Sequence, residues 1–127
     1  MDEHAHLSRR EREIMDIVYA RNEASATDVL AAMAEPPSRV SVRTLLRILE
    51  EKSHLKHYKK GREFFYRPTR PRAKAGQSAL DRVLNTFFDG SLEQAVAVHL
   101  ANPKAKLSDE ELKRLVAMIR QAREKGK

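Results

Sequence analysis

Cysteine and tryptophan are absent from this 127-residue chain, glycine occurs only 4 times, and aromatic residues make up 6% of it. Without cysteine there can be no disulfide, no thiolate metal site and no thiol nucleophile. The shortage of aromatics means that any core must be assembled from Leu, Ile, Val, Met and the few Phe residues. No apolar run approaches the roughly 18 residues a membrane-spanning helix needs. No signal peptide is visible either. No membrane insertion is therefore expected, and the chain is expected to work in the cytoplasm. Gly-rich phosphate loops, a nucleophile elbow and HExxH are missing as well. The carboxylate pairs Glu50-Glu51 and Asp109-Glu110-Glu111 diverge on a helix or serve as caps. No catalytic residue, cofactor or metal is expected, and the chain does not read as an enzyme.

What is abundant is charge, at 34% of residues, with a formal net charge of +7. Val, Leu and Ile nevertheless recur with helical period, which argues for a folded chain. The charge is also segregated. Residues 1–35 hold 4 Lys+Arg against 8 Asp+Glu, residues 36–75 hold 12 against 3, and residues 76–127 hold 9 against 7. A basic patch of that kind attracts a polyanion through counterion release, with affinity that falls steeply as salt rises.

Serine-led capping boxes mark helix starts. Ser8 with Glu11 opens a helix that turns Ile14, Ile17 and Val18 inward, and Ser25 with Asp28 opens a second carrying Val29, Leu30 and Met33. Pro36 and Pro37 stop the second helix, because proline neither donates to the ladder nor continues it. Ser78 with Asp81, Ser91 with Gln94 and Ser108 with Glu111 lead three more.

The third helix is expected over 41–52 with Ser41 as its N-cap. On a helical wheel Val42, Leu45, Leu46 and Leu49 share one stripe, while Arg43, Thr44, Arg47 and Glu51 fall on the opposite side. The continuation HLKHYKKGREFFYR has two β-prone runs joined at Lys60-Gly61, where glycine can supply the positive φ of a tight hairpin. Helix–helix–helix–hairpin is winged-helix topology. The expected nucleic-acid contacts are Arg43 and Arg47 at guanine edges or phosphates, and Thr44 at a base or thymine methyl. Ser41 and its helix N-terminus would hold a phosphate, and Lys59, Lys60 and Arg62 would grip the flanking backbone.

Residues 71–77, with prolines, basic residues and Gly76, have linker composition. Beyond them Leu80, Val83, Leu84, Phe87 and Phe88 follow i, i+3, i+4, i+7, i+8. Leu92 and Val96 stripe a shorter helix, and Leu112, Leu115, Val116 and Ile119 the last one. About fifty residues cannot bury three such stripes alone, so the stripes are expected to meet those of a second copy in a homodimer. The fold expected is mainly α with a small β hairpin. It comprises a winged helix-turn-helix domain over 1–70, a linker over 71–77 and a C-terminal helical dimerisation domain over 78–127.

Of the five histidines, His4 and His6 precede the first helix, His54 and His57 flank the start of the hairpin, and His99 lies near the end of a helix. They fit solvated or DNA-facing imidazoles better than a metal site. RNA binding, or sequence-neutral binding as a nucleoid protein, stays open as an alternative. RNA binding would call for exposed stacking aromatics, whereas strand alternation through Phe64, Phe65 and Tyr66 buries at least one. A sequence-neutral protein would not need Arg43, Thr44 and Arg47 aligned for base edges.

Nearly the whole chain resembles the penicillinase-repressor family of transcriptional regulators. The likeness is carried by Leu7-Ser8-Arg9-Arg10-Glu11 with Ile14-Met15, by Ser41 through Arg47 with Leu49, by Gly61-Arg62 through Tyr66, by Phe88-Asp89-Gly90-Ser91, and by Leu107-Ser108 with Glu110-Glu111-Leu112 and Leu115. The resemblance implies a winged helix on a palindromic operator in double-stranded DNA, C-terminal helices that hold a dimer, and repression until an inducing signal acts. The chain departs from the family pattern at several places. Ser53 stands where the family usually has glycine after the recognition helix, and Ile48 where a polar residue is frequent. Val98-His99 occupies the place of the Asn–Phe bond cut by a membrane-anchored protease in some members, and the cysteines of copper-responsive members are missing. A sensor protease or another inducer is the further partner the resemblance implies.

Overall fold

The computed structural model describes residues 7–126, so His4 and His6 lie outside the described residues. The chain divides between Val83 and Leu84 into two compact units.

The N-terminal unit opens with α1 (Arg9–Arg21). Its N-cap Ser8 and Glu11 complete the capping box from both sides, and Ile14, Met15, Val18 and Tyr19 are buried along one stripe. A two-residue strand β1 (Ala24–Ser25) leads directly into α2 (Ala26–Ala32), where Ser25 and Asp28 form a second complete box. α2 stops before Pro36-Pro37, and α3 (Arg39–Glu51) buries Val42, Leu46 and Leu49. The hairpin of β2 (Leu55–Lys60) and β3 (Glu63–Pro68) follows. Gly61 at its turn has φ +65, a conformation that costs a residue without Cβ almost nothing. β1 pairs antiparallel with β3, giving a three-stranded sheet in the order β1-β3-β2. The core gathers the apolar stripes of the three helices around Ala24 and Leu55.

Two expectations about helix boundaries are corrected. The N-cap of α3 is Ser38, whose hydroxyl accepts from the Ser41 amide at 3.1 Å. Ser41 is thus the third helical residue. The first intrahelical bond runs from Val42 N to Ser38 O at 3.0 Å. Two serines three residues apart each offer a cap, and the earlier one wins because nothing in Arg39 or Val40 opposes helix once Pro37 is passed. The second correction concerns residues 71–77, expected as a linker. Residues 72–77 form the first turns of α4 (Arg72–Phe87). Pro71 lies just before the first turn, where proline is tolerated, and its carbonyl accepts from Ala75 N at 3.1 Å. Ala75 packs on the core, which offsets the helix penalty of Gly76. Ser78 consequently caps nothing. Its hydroxyl lies within α4 and accepts from Arg70 Nη2 at 2.8 Å.

The C-terminal unit holds the end of α4, α5 (Leu92–Leu100) and α6 (Asp109–Lys125). Ser91 and Ser108 cap α5 and α6 by accepting from the amides of Gln94 and Glu111. No described residue of this unit is buried within the single chain. Phe87, Leu92, Val96, Leu112, Leu115, Val116 and Ile119 all stand exposed, while Leu84 and Phe88 are half-buried. Leu80 is exposed and Val83 half-buried at the end of the N-terminal unit.

Candidate nucleic-acid interface

α3 is amphipathic because its Val/Leu positions recur at 42, 46 and 49 while arginine recurs at 39, 43 and 47. The three arginines form one line, four residues apart, along a wall of an open groove. The start of α2, at Ser25, Ala26 and Thr27, forms part of the same lining, and the hairpin supplies the rest through His57, Arg62, Glu63, Phe64 and Tyr66. Arg43 and Arg47 are exposed, and Thr44 is half-buried. Arg47 Nε lies 3.9 Å from Glu51 Oε1 with both side chains about 70% exposed. A pair of that kind contributes about 0–1 kcal/mol, so Arg47 can trade it for a ligand. Thr44 Oγ1 donates to the Val40 carbonyl at 3.0 Å. Its hydroxyl proton is therefore committed to the helix, and only its lone pair and methyl group remain for a base.

The hairpin register decides which wing residues face the groove. Cross-strand partners His57↔Tyr66 and Lys59↔Phe64 share one face, and Lys56↔Arg67, Tyr58↔Phe65 and Lys60↔Glu63 share the other. His57 packs against the ring of Phe64 at 4.6 Å and of Tyr66 at 5.7 Å, and its Nδ1 donates to the Glu50 carboxylate on α3. That bond fastens the wing to the helix across the groove. Burial pushes the Tyr66 hydroxyl above its ordinary range, and neighbouring Glu50 pushes the same way against Arg43. Phe64 is 48% exposed, while Phe65 and Tyr66 are half-buried.

A second cluster holds the back of the hairpin. Tyr58 Oη donates to Glu23 Oε2 at 2.6 Å, and Arg67 Nε to Glu23 Oε1 at 3.0 Å. The Tyr58 hydrogen bond, helped by Arg67, holds the Glu23 carboxyl below its usual range. The same bond raises Tyr58. The Arg67 guanidinium lies 4.5 Å from the Tyr58 ring centroid, and Lys60 Nζ lies 5.8 Å from the Phe65 ring. Lys59 and Lys60 thus leave the hairpin on opposite faces with Arg62 at the tip.

Arg43, Arg47 and Arg62 come together around the groove, and Thr44 lies on the same helix. Ser41 does not take its expected place, because its amide is already satisfied by Ser38. The amides of Arg39 and Val40 begin the helix instead. Sequence reasoning missed Arg39 and the tie between His57 and Glu50. The signal for Arg39 was its spacing of four from Arg43, hidden by placing the helix start two residues late. The tie gave no local signal, since Glu50 is seven residues from His57 on another element.

The sequence matches the family model for the penicillinase repressor over residues 7–121. A penicillinase repressor of Bacillus licheniformis is 26% identical over 123 residues, spanning 95% of this chain and 94% of that protein. Among solved structures, MepR, a transcription regulator of the Staphylococcus aureus multidrug efflux pump MepA, aligns with a TM-score of 0.50 at 20% identity, covering 98% of this chain and 84% of that one. The likeness to MepR is one of winged-helix fold.

Proposed function

We propose that this chain, which belongs to the penicillinase repressor family, represses transcription as a homodimer on an inverted-repeat DNA operator. Family membership makes it a DNA-binding transcriptional repressor and not an enzyme. In our reading α3 enters the major groove, whose width of about 12 Å admits a helix. Arg43 and Arg47 reach guanine edges or phosphates, and Thr44 offers a lone pair or methyl to a base. Lys59, Lys60 and Arg62 hold the flanking backbone, and the hairpin can straddle a strand because its lysines leave on opposite faces. The observation that carries this reading is the line of Arg39, Arg43 and Arg47 on α3 facing the hairpin across a shared groove.

Two copies are needed because the C-terminal unit exposes Phe87, Leu92, Leu112, Leu115 and Ile119 with nothing of its own to cover them. Exposed apolar surface of that extent marks an interaction surface. A two-fold dimer presents two recognition helices to two half-sites. A sensor protease or another inducer ends repression, and the repressor acts in the cytoplasm, where its operator lies.

The test uses a duplex selected from a random pool by the full-length protein. Two protomers should bind an inverted repeat with one transition, and cutting the duplex to a single half-site should lower affinity by about 100-fold or more. A single protomer binding the half-site as tightly as the whole repeat would overturn the dimeric reading.

A further inference from the structure

We propose that Val40 is a specificity-determining residue that packs on the 5-methyl group of a thymine in each half-site, an inference that rests on α3 being the DNA-reading helix.

Val40 is 73% exposed, the highest value among the exposed large apolar side chains of the described residues. It is the second residue of α3. At about 100° per residue, Arg43, Thr44, Arg47 and Glu51 all lie within roughly 60° of it on the helix circumference. The most exposed large apolar side chain among the described residues thus lies on the face that carries the arginines, at the end where recognition helices meet base edges. Folding does not explain its presence. Val40 joins no part of the core, and valine is a weaker helix former than alanine, lysine or arginine.

The hydrogen bond from Thr44 Oγ1 to the Val40 carbonyl, at 3.0 Å, ties these two residues together one turn apart. With that proton committed, Thr44 has none to donate to a base. Val40 has no polar atom at all. Beside Arg43 and Arg47, which bring only donors, Val40 itself offers a base an apolar surface, with the Thr44 Oγ1 lone pair as the acceptor one turn on. Thymine alone among the bases shows a methyl group in the major groove. Cytosine offers an amino donor at the neighbouring position, which a valine would leave without an acceptor. The preference at Val40 therefore rests on contact with the thymine methyl group, which cytosine lacks.

The test is a thymine-by-thymine scan of the selected duplex, each thymine replaced in turn by deoxyuridine, with full-length wild type, Val40→Ala and Arg47→Ala. One thymine per half-site should be methyl-sensitive, its replacement weakening wild-type binding by roughly three- to tenfold. Val40→Ala should bind the unmodified duplex as weakly as wild type binds the deoxyuridine duplex, and should lose nothing further on that duplex. Unchanged melting of Val40→Ala will establish that the fold is intact. If no thymine is methyl-sensitive, or the sensitivity persists in Val40→Ala, the proposal is overturned. Arg47→Ala separates the two levels. A loss of affinity in Arg47→Ala beside a failed thymine scan removes Val40 alone, whereas unchanged affinity removes α3 as the reader.

Discussion

Lys52 Nζ lies 2.8 Å from Glu11 Oε2, so the residue that ends α3 is bound to the residue that closes the capping box of α1. The Glu11 side chain is 6% exposed and that of Lys52 is 43% exposed. The other Glu11 oxygen accepts from the Ser8 amide at 2.8 Å. One carboxylate therefore fixes the start of α1 and the exit of α3 together. The outward face of α3 can be presented rigidly because its far end is held to the body of the domain.

This arrangement predicts a pH-dependent stability. Burial by itself would raise the Glu11 carboxyl, but the Lys52 hydrogen bond and those from Ser8 outweigh it, and the net direction is down. A depressed folded-state value stabilises the fold above the ordinary carboxylate range, and the contribution fades as pH falls through the folded value. Glu11→Gln should lower stability by about 1–2 kcal/mol at pH 7, with the gap to wild type closing as the solution is acidified. Urea unfolding at a series of pH values checks this. A gap that stays constant down to strongly acid pH would show that the charge on Glu11 does not matter.

Ser53 follows the end of α3 with φ +68. Its amide donates to Glu50 O at 2.9 Å, and its carbonyl accepts from Thr69 Oγ1 at 2.6 Å. The backbone is thus held in a left-handed conformation that costs an L side chain about 1–2 kcal/mol. Ser53→Gly removes that strain but adds freedom to the unfolded chain, so the net gain should be about 0.5–1 kcal/mol. The urea midpoint should rise with an unchanged slope. A lower midpoint would mean that the serine side chain contributes more than its strained backbone costs.

These two residues also show how much was legible in the sequence. Glu11 and Ser53 lie in local patterns, a capping box and a helix exit, and local patterns are what a sequence displays directly. The apolar stripes of α1 to α3 and the hairpin turn at Gly61 were legible for the same reason. β1 was not, because two residues show no alternation and Ala24–Ser25 becomes a strand only by pairing with Tyr66 and Phe65. α4 was misjudged because Pro71 and Gly76 weigh against helix in composition, whereas Pro71 lies outside the first turn and Ala75 gains core contacts. On the interface, Arg43, Arg47 and Arg62 followed from helical period and turn position. The Glu50–His57 bond and the Glu23–Tyr58–Arg67 cluster join residues distant in sequence, and the separation of Lys59 from Lys60 depends on strand register.

Arg47 and Lys60 should respond differently to substitution. Arg47 projects from the helix face, and Arg47→Ala should lose about 1–3 kcal/mol on the operator and discriminate less against random DNA. Lys60 sits beside the hairpin turn, and Lys60→Ala should weaken both DNAs alike and reduce the salt slope by about 1. Titrations of both DNAs at several salt concentrations distinguish them. Equal losses on operator and random DNA for Arg47→Ala would exclude base reading by that arginine.

The division of labour between the two units yields the last prediction. A fragment ending at Val83 keeps α1 to α3, the hairpin, the packing of Ala75 on the core and the Arg70–Ser78 hydrogen bond. It should fold, remain monomeric, and bind the inverted repeat far more weakly than the full chain, because the second half-site is no longer reached at high effective concentration. The same loss should follow from Phe87→Asp in the full chain. Phe87 is 69% exposed within one chain, so a charge there should cost the isolated fold little while placing an unpaired carboxylate in an apolar interface between copies. Helical content should persist in that variant while sedimentation reports a monomer. A Val83 fragment that is still dimeric, or that binds the whole repeat as tightly as the intact chain, would show that assembly resides in the N-terminal unit. A dimeric Phe87→Asp protein would place the contact elsewhere on the C-terminal helices, and the paired exposures of Leu115 and Ile119 on α6 make that surface the next to substitute.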